Sequence, residues 1–265
     1  MNILEEIAEK TKKRVEERKQ QISLEDMKQA ALQKEPDTGF PFEKALRSDS
    51  LSFICEVKKA SPSKGLIAPY FPYVRIAKDY EKGGASALSV LTEPYYFQGD
   101  NSYLTEIKKE VVLPIIRKDF TVDEYMIYEA KVIGADAILL ICAILTDEEL
   151  KRFHELATSL GLTALVEAHD AEEVERAVKI GAKVIGVNNR DLKTFTVDIH
   201  NSIRYRQMVD DDIVFVSESG IRDRADIEML EENKVDAVLI GETLMRAENT
   251  VKALQQLRGL DAAEA

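Results

Sequence analysis

Short apolar runs of five to seven residues recur along the chain from residue 51 onward. Each run is nearly continuous in apolar character, which is typical of parallel strands that are covered on both faces. Amphipathic segments with helical spacing separate the runs, and the repeat of roughly 20–35 residues is what a strand–helix unit requires. The eight runs are SFICEVK (52–58), SALSVLT (86–92), LPIIRK (113–118), AILLI (137–141), LTALVE (162–167), KVIGVN (183–188), IVFVSES (213–219) and DAVLIG (236–241).

Eight such units predict a (β/α)8 TIM barrel, and we expect residues 1–265 to form one barrel domain. The structural alternative is a doubly wound open sheet. That fold usually carries a glycine-rich turn after its first strand, and the segment KKASPSKG (58–65) is not a GxGxxG turn. The pattern therefore favours the barrel.

The residues before the first run show a different pattern. An apolar stripe predicts a first helix, and the stripe consists of Ile3, Leu4, Ile7 and Val15. Ser23 followed by Asp26 resembles a capping box at the start of a second helix. Pro36 and Pro41 are expected to end this section. We interpret residues 1–47 as a helical extension that packs on the barrel.

Charge excludes one class of partner. The 265 residues include 36 Lys and Arg against 48 Asp and Glu, for a net charge of −12, and the basic residues are not clustered. Such a chain is not expected to bind nucleic acid. A hydrophobic content of 45% also excludes a disordered chain. The net charge does not exclude a small anionic ligand, because a few well-placed groups are enough to bind it.

Cysteine and histidine positions argue against disulfides and metal sites. Cys55 and Cys142 are far apart and form no CxxC pair, which suits a reducing compartment. The three histidines have no metal-ligand spacing, although His169 could orient Glu167 two residues before it. The N-terminus does not resemble a signal peptide, and the apolar stretch 137–145 is too short to span a bilayer. We expect a cytoplasmic protein without a metal or a membrane partner.

Polar residues collect where the predicted strands end, which is where barrels place their active sites. Glu56 and Lys58 share one face of the first strand because strand side chains alternate. Alone, this pair could be a structural ion pair. Lys118, Glu167 and further strand ends repeat the pattern, and these further ends contribute Asn188, Glu218 and Ser219. Two lysines and three carboxylates on one rim predict acid–base chemistry on an anionic substrate.

The turns after the seventh and eighth strands predict a phosphate site. They read Ser-Gly-Ile (219–221) and Gly-Glu-Thr (241–243), and small residues allow backbone N–H groups to approach phosphate oxygens. Barrels often bind phosphate with the loops after these two strands.

Seven motifs together resemble the indole-3-glycerol phosphate synthase family over essentially the whole chain. The motifs are EVKKASPSKG (56–65), SVLTEPYYFQG (89–99), RKDF (117–120), LVEAHD (165–170), GVNNRDL (186–192), VSESGI (216–221) and IGETLM (240–245). The resemblance implies a carbon–carbon lyase of tryptophan biosynthesis that uses no cofactor. It implies that 1-(2-carboxyphenylamino)-1-deoxyribulose 5-phosphate is closed to indole-3-glycerol phosphate, with loss of carbon dioxide and water.

The resemblance also implies residue roles. Lys118 is the expected general acid in ring closure, and Glu167 the acid–base partner in the later dehydration. Lys58 is expected to bind an anionic group of the substrate and is a candidate proton donor, a division that the family's mechanism leaves open. Glu56 and Asn188 are expected to position the intermediate and the lysines.

The remaining site residues implied by the resemblance contact the substrate. The substrate-binding group is Ser61, Phe97, Phe120, Arg190, Glu218 and Ser219. The phosphate-binding group is Lys58, Ser219, Gly220, Gly241 and Glu242, the last through its backbone. Phe97 and Phe120 would form an apolar wall for the aromatic ring.

Two points stay open from the residues alone. Lys58 and Lys118 in one mouth would lower each other's pKa, while Glu56 and Glu167 would oppose that effect. The alternative functions are another phosphate-binding barrel enzyme, such as a phosphoribosyl isomerase, and a barrel that binds a sugar phosphate only to regulate a partner. We expect a monomer that acts on a small molecule carrying a phosphate and a carboxylate.

Overall fold

Eight parallel strands follow one another around a closed barrel, and the first strand pairs with both the second and the eighth. The computed structural model describes residues 3–191 and 194–260, so Leu192 of the GVNNRDL motif and the outermost residues of the expected domain lie outside the described part. The strands are Ser52–Val57, Ala87–Leu91, Ile115–Lys118, Ala137–Ile141, Thr163–Ala168, Val184–Asn188, Val214–Glu218 and Ala237–Ile240. Each lies largely within one predicted run, which confirms the (β/α)8 barrel.

Helices lie outside the barrel; three precede the first strand, and the others lie between strands or after the last strand. They are α1 (Ile3–Gln21), α2 (Leu24–Leu32), α3 (Pro41–Leu46), α4 (Tyr73–Gly83), α5 (Asn101–Lys108), α6 (Glu124–Ile133), α7 (Asp147–Ser159), α8 (Ala171–Lys179), α9 (His200–Arg206), α10 (Arg224–Glu232), α11 (Glu242–Met245) and α12 (Thr250–Leu257). A 3₁₀ turn, Cys142–Ile144, follows the fourth strand. In the described part of the chain, no helix is long and apolar enough to cross a membrane.

Both predicted N-terminal helices are present as α1 and α2. The Ser23 hydroxyl accepts a hydrogen bond of 3.1 Å from the Asp26 N–H and so caps α2. The expectation for Pro41 was wrong, because Pro41 opens α3 instead of ending the section. Proline fits the first turn of a helix, where the N–H that it lacks has no intrahelical partner.

The barrel interior holds an apolar core of its own, separate from the larger core between strands and helices. Phe42 and Leu46 of α3 close the interior near the start of the first strand, where the Ser52 hydroxyl donates to the Ala45 carbonyl oxygen at 3.2 Å. Leu4 and Ile7 of α1 belong to the same core and also line a cavity at the opposite end. The two ends of the barrel are therefore covered by different N-terminal helices.

A small hairpin interrupts the loop after the first strand. Ala60–Ser61 pairs antiparallel with Gly65–Leu66, an element that the apolar pattern does not predict. The hairpin brings Ser61 and Lys64 to the edge of the cavity.

Candidate active site

The carboxyl ends of the strands surround an open cavity of about 730 Å³. The structure places every residue of the predicted site in its lining, although the residues come from the ends of seven different strands and the loops that follow them. They are Glu56, Lys58, Ser61, Phe97, Lys118, Phe120, Glu167, Asn188, Arg190, Glu218, Ser219, Gly220, Gly241 and Glu242. Among the described residues, no group of three or more His, Cys, Asp or Glu side chains could hold a metal ion.

Lys118, at the end of the third strand, contacts two carboxylates from other strands. Its Nζ lies 2.7 Å from Glu218 Oε2 and 3.3 Å from Glu167 Oε2. The lysine side chain is only 12% exposed, so these charges are poorly screened by solvent. The contact with Glu218 was not predicted, since the family resemblance implied that Glu218 contacts substrate.

Lys58 is paired with Glu56 on the first strand, as their shared face predicts. The pair packs against the backbone of Gly241 after the eighth strand. A Cβ atom at Gly241 would lie 2.5 Å from Glu56 Oε1 and 2.9 Å from Lys58 Nζ. Glycine is thus required here by close approach, because any side chain would displace the ion pair.

Neighbouring carboxylates set the pKa of Lys118 and keep its side chain positively charged. Burial would lower its pKa, but the charges of Glu218, Glu167 and Glu56 outweigh burial and raise the pKa well above the usual value. The carboxylates therefore outweigh any lowering of the Lys118 pKa by a second lysine in the cavity. Lys118 is fully protonated at neutral pH.

The two carboxylates beside Lys118 differ in pKa. Burial raises the pKa of Glu218 to about 7, with Lys118 opposing and Glu167 adding to the shift. For Glu167, burial is outweighed by Lys118, His169 and Asn188, which lower its pKa well below the usual value. Two neighbouring carboxyl groups with separated pKa values are typical of acid–base sites.

An apolar wall lies beside these charges. The Phe97 and Phe120 rings are 6.3 Å apart between centroids, and Leu4 and Ile7 of α1 complete the wall. The sequence could not show that α1 reaches the cavity. The Phe97 loop is shaped by Glu93, whose buried carboxylate accepts hydrogen bonds from the N–H groups of the residues after it.

The turns after the seventh and eighth strands are tied together. Ser219 and Gly220 both have left-handed backbone, with φ of 70° and 92°. The Thr243 hydroxyl donates to the Ile221 carbonyl oxygen at 2.6 Å and joins this turn to the start of α11. The Glu242 carboxylate lies 3.3 Å from Lys64.

Asn188 and its neighbours hold the sixth strand end. Asn188 Nδ2 lies 3.4 Å from Glu167 Oε1, and its Oδ1 accepts a 3.1 Å hydrogen bond from the Arg190 N–H. Asn189 faces the other way and donates from Nδ2 to Ser217 Oγ at 3.0 Å. This buried bond fixes the sixth strand end against the seventh.

Two residues at the site, Gly186 and His169, were not among the predicted site residues. Gly186 leaves room for Glu218, since a Cβ atom at Gly186 would lie 2.3 Å from Glu218 Oε1. His169 lies behind Glu167, with Nε2 at 3.3 Å from Glu167 Oε1. The spacing of Glu167 and His169 was the only signal for the second of these, and the first belonged to the GVNNRDL motif without a role of its own.

Known proteins resemble this chain over nearly its whole length. The model of the indole-3-glycerol phosphate synthase family matches residues 4–257. A relative of that name from Ruminiclostridium cellulolyticum is 55% identical over 257 residues, covering 97% of this chain and 99% of the relative. A second, from Endomicrobium trichonymphae, is 53% identical over 256 residues, with coverage of 97% and 99%.

Solved structures show the same fold at low identity. A 3-hexulose-6-phosphate synthase is 14% identical and aligns with a TM-score of 0.64, covering 79% of this chain and 99% of that one. At this identity the likeness concerns the barrel alone.

Proposed function

The chain belongs to the indole-3-glycerol phosphate synthase family and catalyses that family's reaction, and from this we propose how its residues share the work. The reaction closes the indole ring of 1-(2-carboxyphenylamino)-1-deoxyribulose 5-phosphate with loss of carbon dioxide and water. The ring carbon attacks the carbonyl carbon, so the reaction needs a proton for the carbonyl oxygen, and it needs proton transfers again when water is lost.

The observation that carries the proposal is Lys118, protonated and held between Glu167 and Glu218 in a cavity with an apolar wall. We propose Lys118 as the general acid of ring closure. A developing alkoxide is a strong base, so an ammonium can protonate it even with a raised pKa. The apolar wall beside Lys118 holds the aromatic ring and excludes water, which strengthens the polar contacts.

Glu167 is proposed as the acid–base partner of the dehydration. Its carboxylate is ionised and 3.3 Å from Lys118, and Asn188 orients it. Lys58 is proposed to bind an anionic group of the substrate and to donate a proton when the hydroxyl leaves, while Glu56 positions its ammonium. Glu218 is proposed to position Lys118 as well as to contact substrate.

The rest of the cavity is proposed to bind substrate. The turns at Gly220 and Gly241 would bind phosphate through N–H groups, with Lys58, Ser219 and the Glu242 backbone. Ser61 and Arg190 line the same cavity and would contact the polar part of the substrate.

We further propose a cytoplasmic monomer in which residues 1–47 and the barrel form one domain. A net charge of −12 supports a small-molecule substrate over nucleic acid. Family membership favours ring closure over the phosphoribosyl isomerase alternative and over a barrel that only regulates a partner.

A direct assay tests the function. Purified protein is mixed with the carboxyphenylamino-deoxyribulose phosphate, and the fluorescence of indole-3-glycerol phosphate is followed. We expect product without added metal or cofactor. A folded protein that gives no product would contradict the proposal.

A further inference from the structure

We propose that His169 is a positioning residue for the reaction: as a cation behind the fifth strand, it turns the Glu167 carboxylate toward Lys118 and keeps it ionised. The inference rests on the proposed role of Glu167 as acid–base partner.

Two carboxylates from different elements bracket the imidazole. Nε2 lies 3.3 Å from Oε1 of Glu167 on the fifth strand, and Nδ1 lies 3.0 Å from Oε2 of Glu173 in the first turn of α8. The same Glu173 oxygen also accepts a hydrogen bond of 2.8 Å from the backbone N–H of His169. Asp170 caps α8 and accepts the Glu173 N–H at 2.9 Å. Glu173 is therefore fixed independently of the cavity.

The protonation state follows from this arrangement. A neutral imidazole has an N–H on one nitrogen and a lone pair on the other. The nitrogen without a proton would then point its lone pair at a negatively charged carboxylate oxygen. Only the imidazolium offers an N–H to both sides. Nε2 is buried and lacks hydrogen-bond geometry to Glu167, so that contact is mainly a charge interaction at ion-pair distance.

The neighbouring charges support the cation. Burial would lower the pKa of His169, but Glu167 and Glu173 outweigh it and raise the pKa to about 10. The other titratable groups near this cluster include Asp170, Cys142 and Arg176, together with Lys118 and Glu218 across Glu167. Arg176 lies 2.6 Å from Asp147 and donates to the Cys142 and Leu145 carbonyl oxygens, so it does not replace His169 beside Glu167.

The consequence is a division between the two oxygens of Glu167. Oε1 faces His169 and Asn188, whereas Oε2 lies 3.3 Å from Lys118 in the cavity. One oxygen is anchored and the other is presented to the reacting groups. Fixed orientation of this kind accounts for large rate effects, since misplacement by about 1 Å costs on the order of 10²-fold.

Turnover of the wild type is measured first, because its absence would count against the proposed function and not against His169 alone. His169→Gln keeps an amide donor without the charge, and His169→Leu removes both. We expect kcat to fall about tenfold in the first and on the order of 10²-fold in the second, with KM within about twofold. The control His154→Gln, on α7 outside the cavity, should retain full kcat.

The pH profile and NMR separate positioning from a purely structural role. The chain has 3 histidines, so the His169 imidazole signal is identified by its loss in His169→Gln. In the wild type it should stay protonated through pH 8. Glu173→Gln keeps the acceptor oxygen but removes the charge, which lowers the His169 pKa. The alkaline fall of kcat should then begin at lower pH, and this displacement should be absent in the Glu173→Gln/His169→Gln double variant.

Three results would overturn the inference. The first is a wild-type His169 signal that titrates near 6.5, the ordinary value for histidine. The second is a His169→Gln variant with unchanged kcat. The third is a set of variants that lose only thermal stability while kcat per folded molecule and the pH profile are retained. If His169→Leu does not fold, His169→Gln and Glu173→Gln still decide the question.

Discussion

Removal of the Lys118 side chain should affect the chemical step much more than substrate binding. Lys118→Ala should lower kcat by at least about 10²-fold, because the carbonyl oxygen loses its proton donor, while substrate affinity changes little. Single-turnover product formation and equilibrium binding measure the two effects. Lys151→Ala, an exposed lysine on α7, is the control and should behave as wild type. Turnover within a few fold of wild type in Lys118→Ala would show that Lys118 is not the acid.

Gly220 tests the phosphate turn. Gly220→Asp and Gly220→Asn place nearly identical side chains on the same left-handed backbone, and both meet Val197, whose Cγ1 would lie 2.6 Å from the added Cβ. Only the aspartate repels a phosphate. We expect KM for Gly220→Asp to exceed that for Gly220→Asn by about tenfold or more in steady-state kinetics. Equal KM values would place the phosphate elsewhere.

At the scale of elements, α1 is joined to the barrel by buried charges. Arg14 of α1 lies 2.7 Å from Asp119, with side chains 5% and 1% exposed, and Arg117 joins Asp119 to Glu129. Glu129 in turn pairs with Arg18 of α1 at 2.7 Å. Asp119 directly follows Lys118, so the network fixes the backbone beside the proposed acid from outside the barrel.

Arg14→Met should destabilise the protein by about 3 kcal/mol, because it leaves a buried carboxylate short of one cation. The free energy of unfolding in urea measures this loss. Lys12→Met, on the exposed side of the same helix, should stay within about 0.5 kcal/mol of wild type. If Arg14→Met is as stable as the wild type, the cost of removing the buried charges from water equals the attraction between them.

Sequence predicted some elements better than others, for physical reasons. The eight strands were predictable because each buries both faces and so reads as an apolar run. The hairpin at Ala60–Ser61 was not, because two-residue strands have no periodicity. The Arg14–Asp119 pair joins residues 105 positions apart, which a local pattern cannot show. Residue types at the strand ends indicated the cavity lining, but the pairing of Lys118 with Glu218 depends on the position of each strand around the barrel.

For the whole molecule, the protonation of Glu218 makes the free energy of unfolding depend on pH. Its pKa is about 7 in the folded protein against 4.5 as the ordinary value, so the folded state binds more protons than the unfolded state between these values. The contribution of Glu218 to stability therefore falls as pH rises through this window.

Glu218→Gln should consequently gain stability relative to wild type as pH rises. We expect the difference in unfolding free energy, variant minus wild type, to be larger at pH 8 than at pH 5 by on the order of 1–3 kcal/mol. Urea unfolding at the two pH values measures it. A difference that is constant with pH would show that Glu218 is ionised throughout.

Closure of the barrel also bears on synthesis of the protein. The first strand, which carries Glu56, pairs with the eighth through Ser52 and Ala237, and Gly241 packs on the Glu56–Lys58 pair. In a nascent chain on the ribosome, one edge of the apolar first strand thus stays unpaired until some 185 further residues have been translated (52↔237). During that interval the open edge is exposed to aggregation. Whatever protects it, whether α3 packed early on that strand or a chaperone, acts before any active site exists.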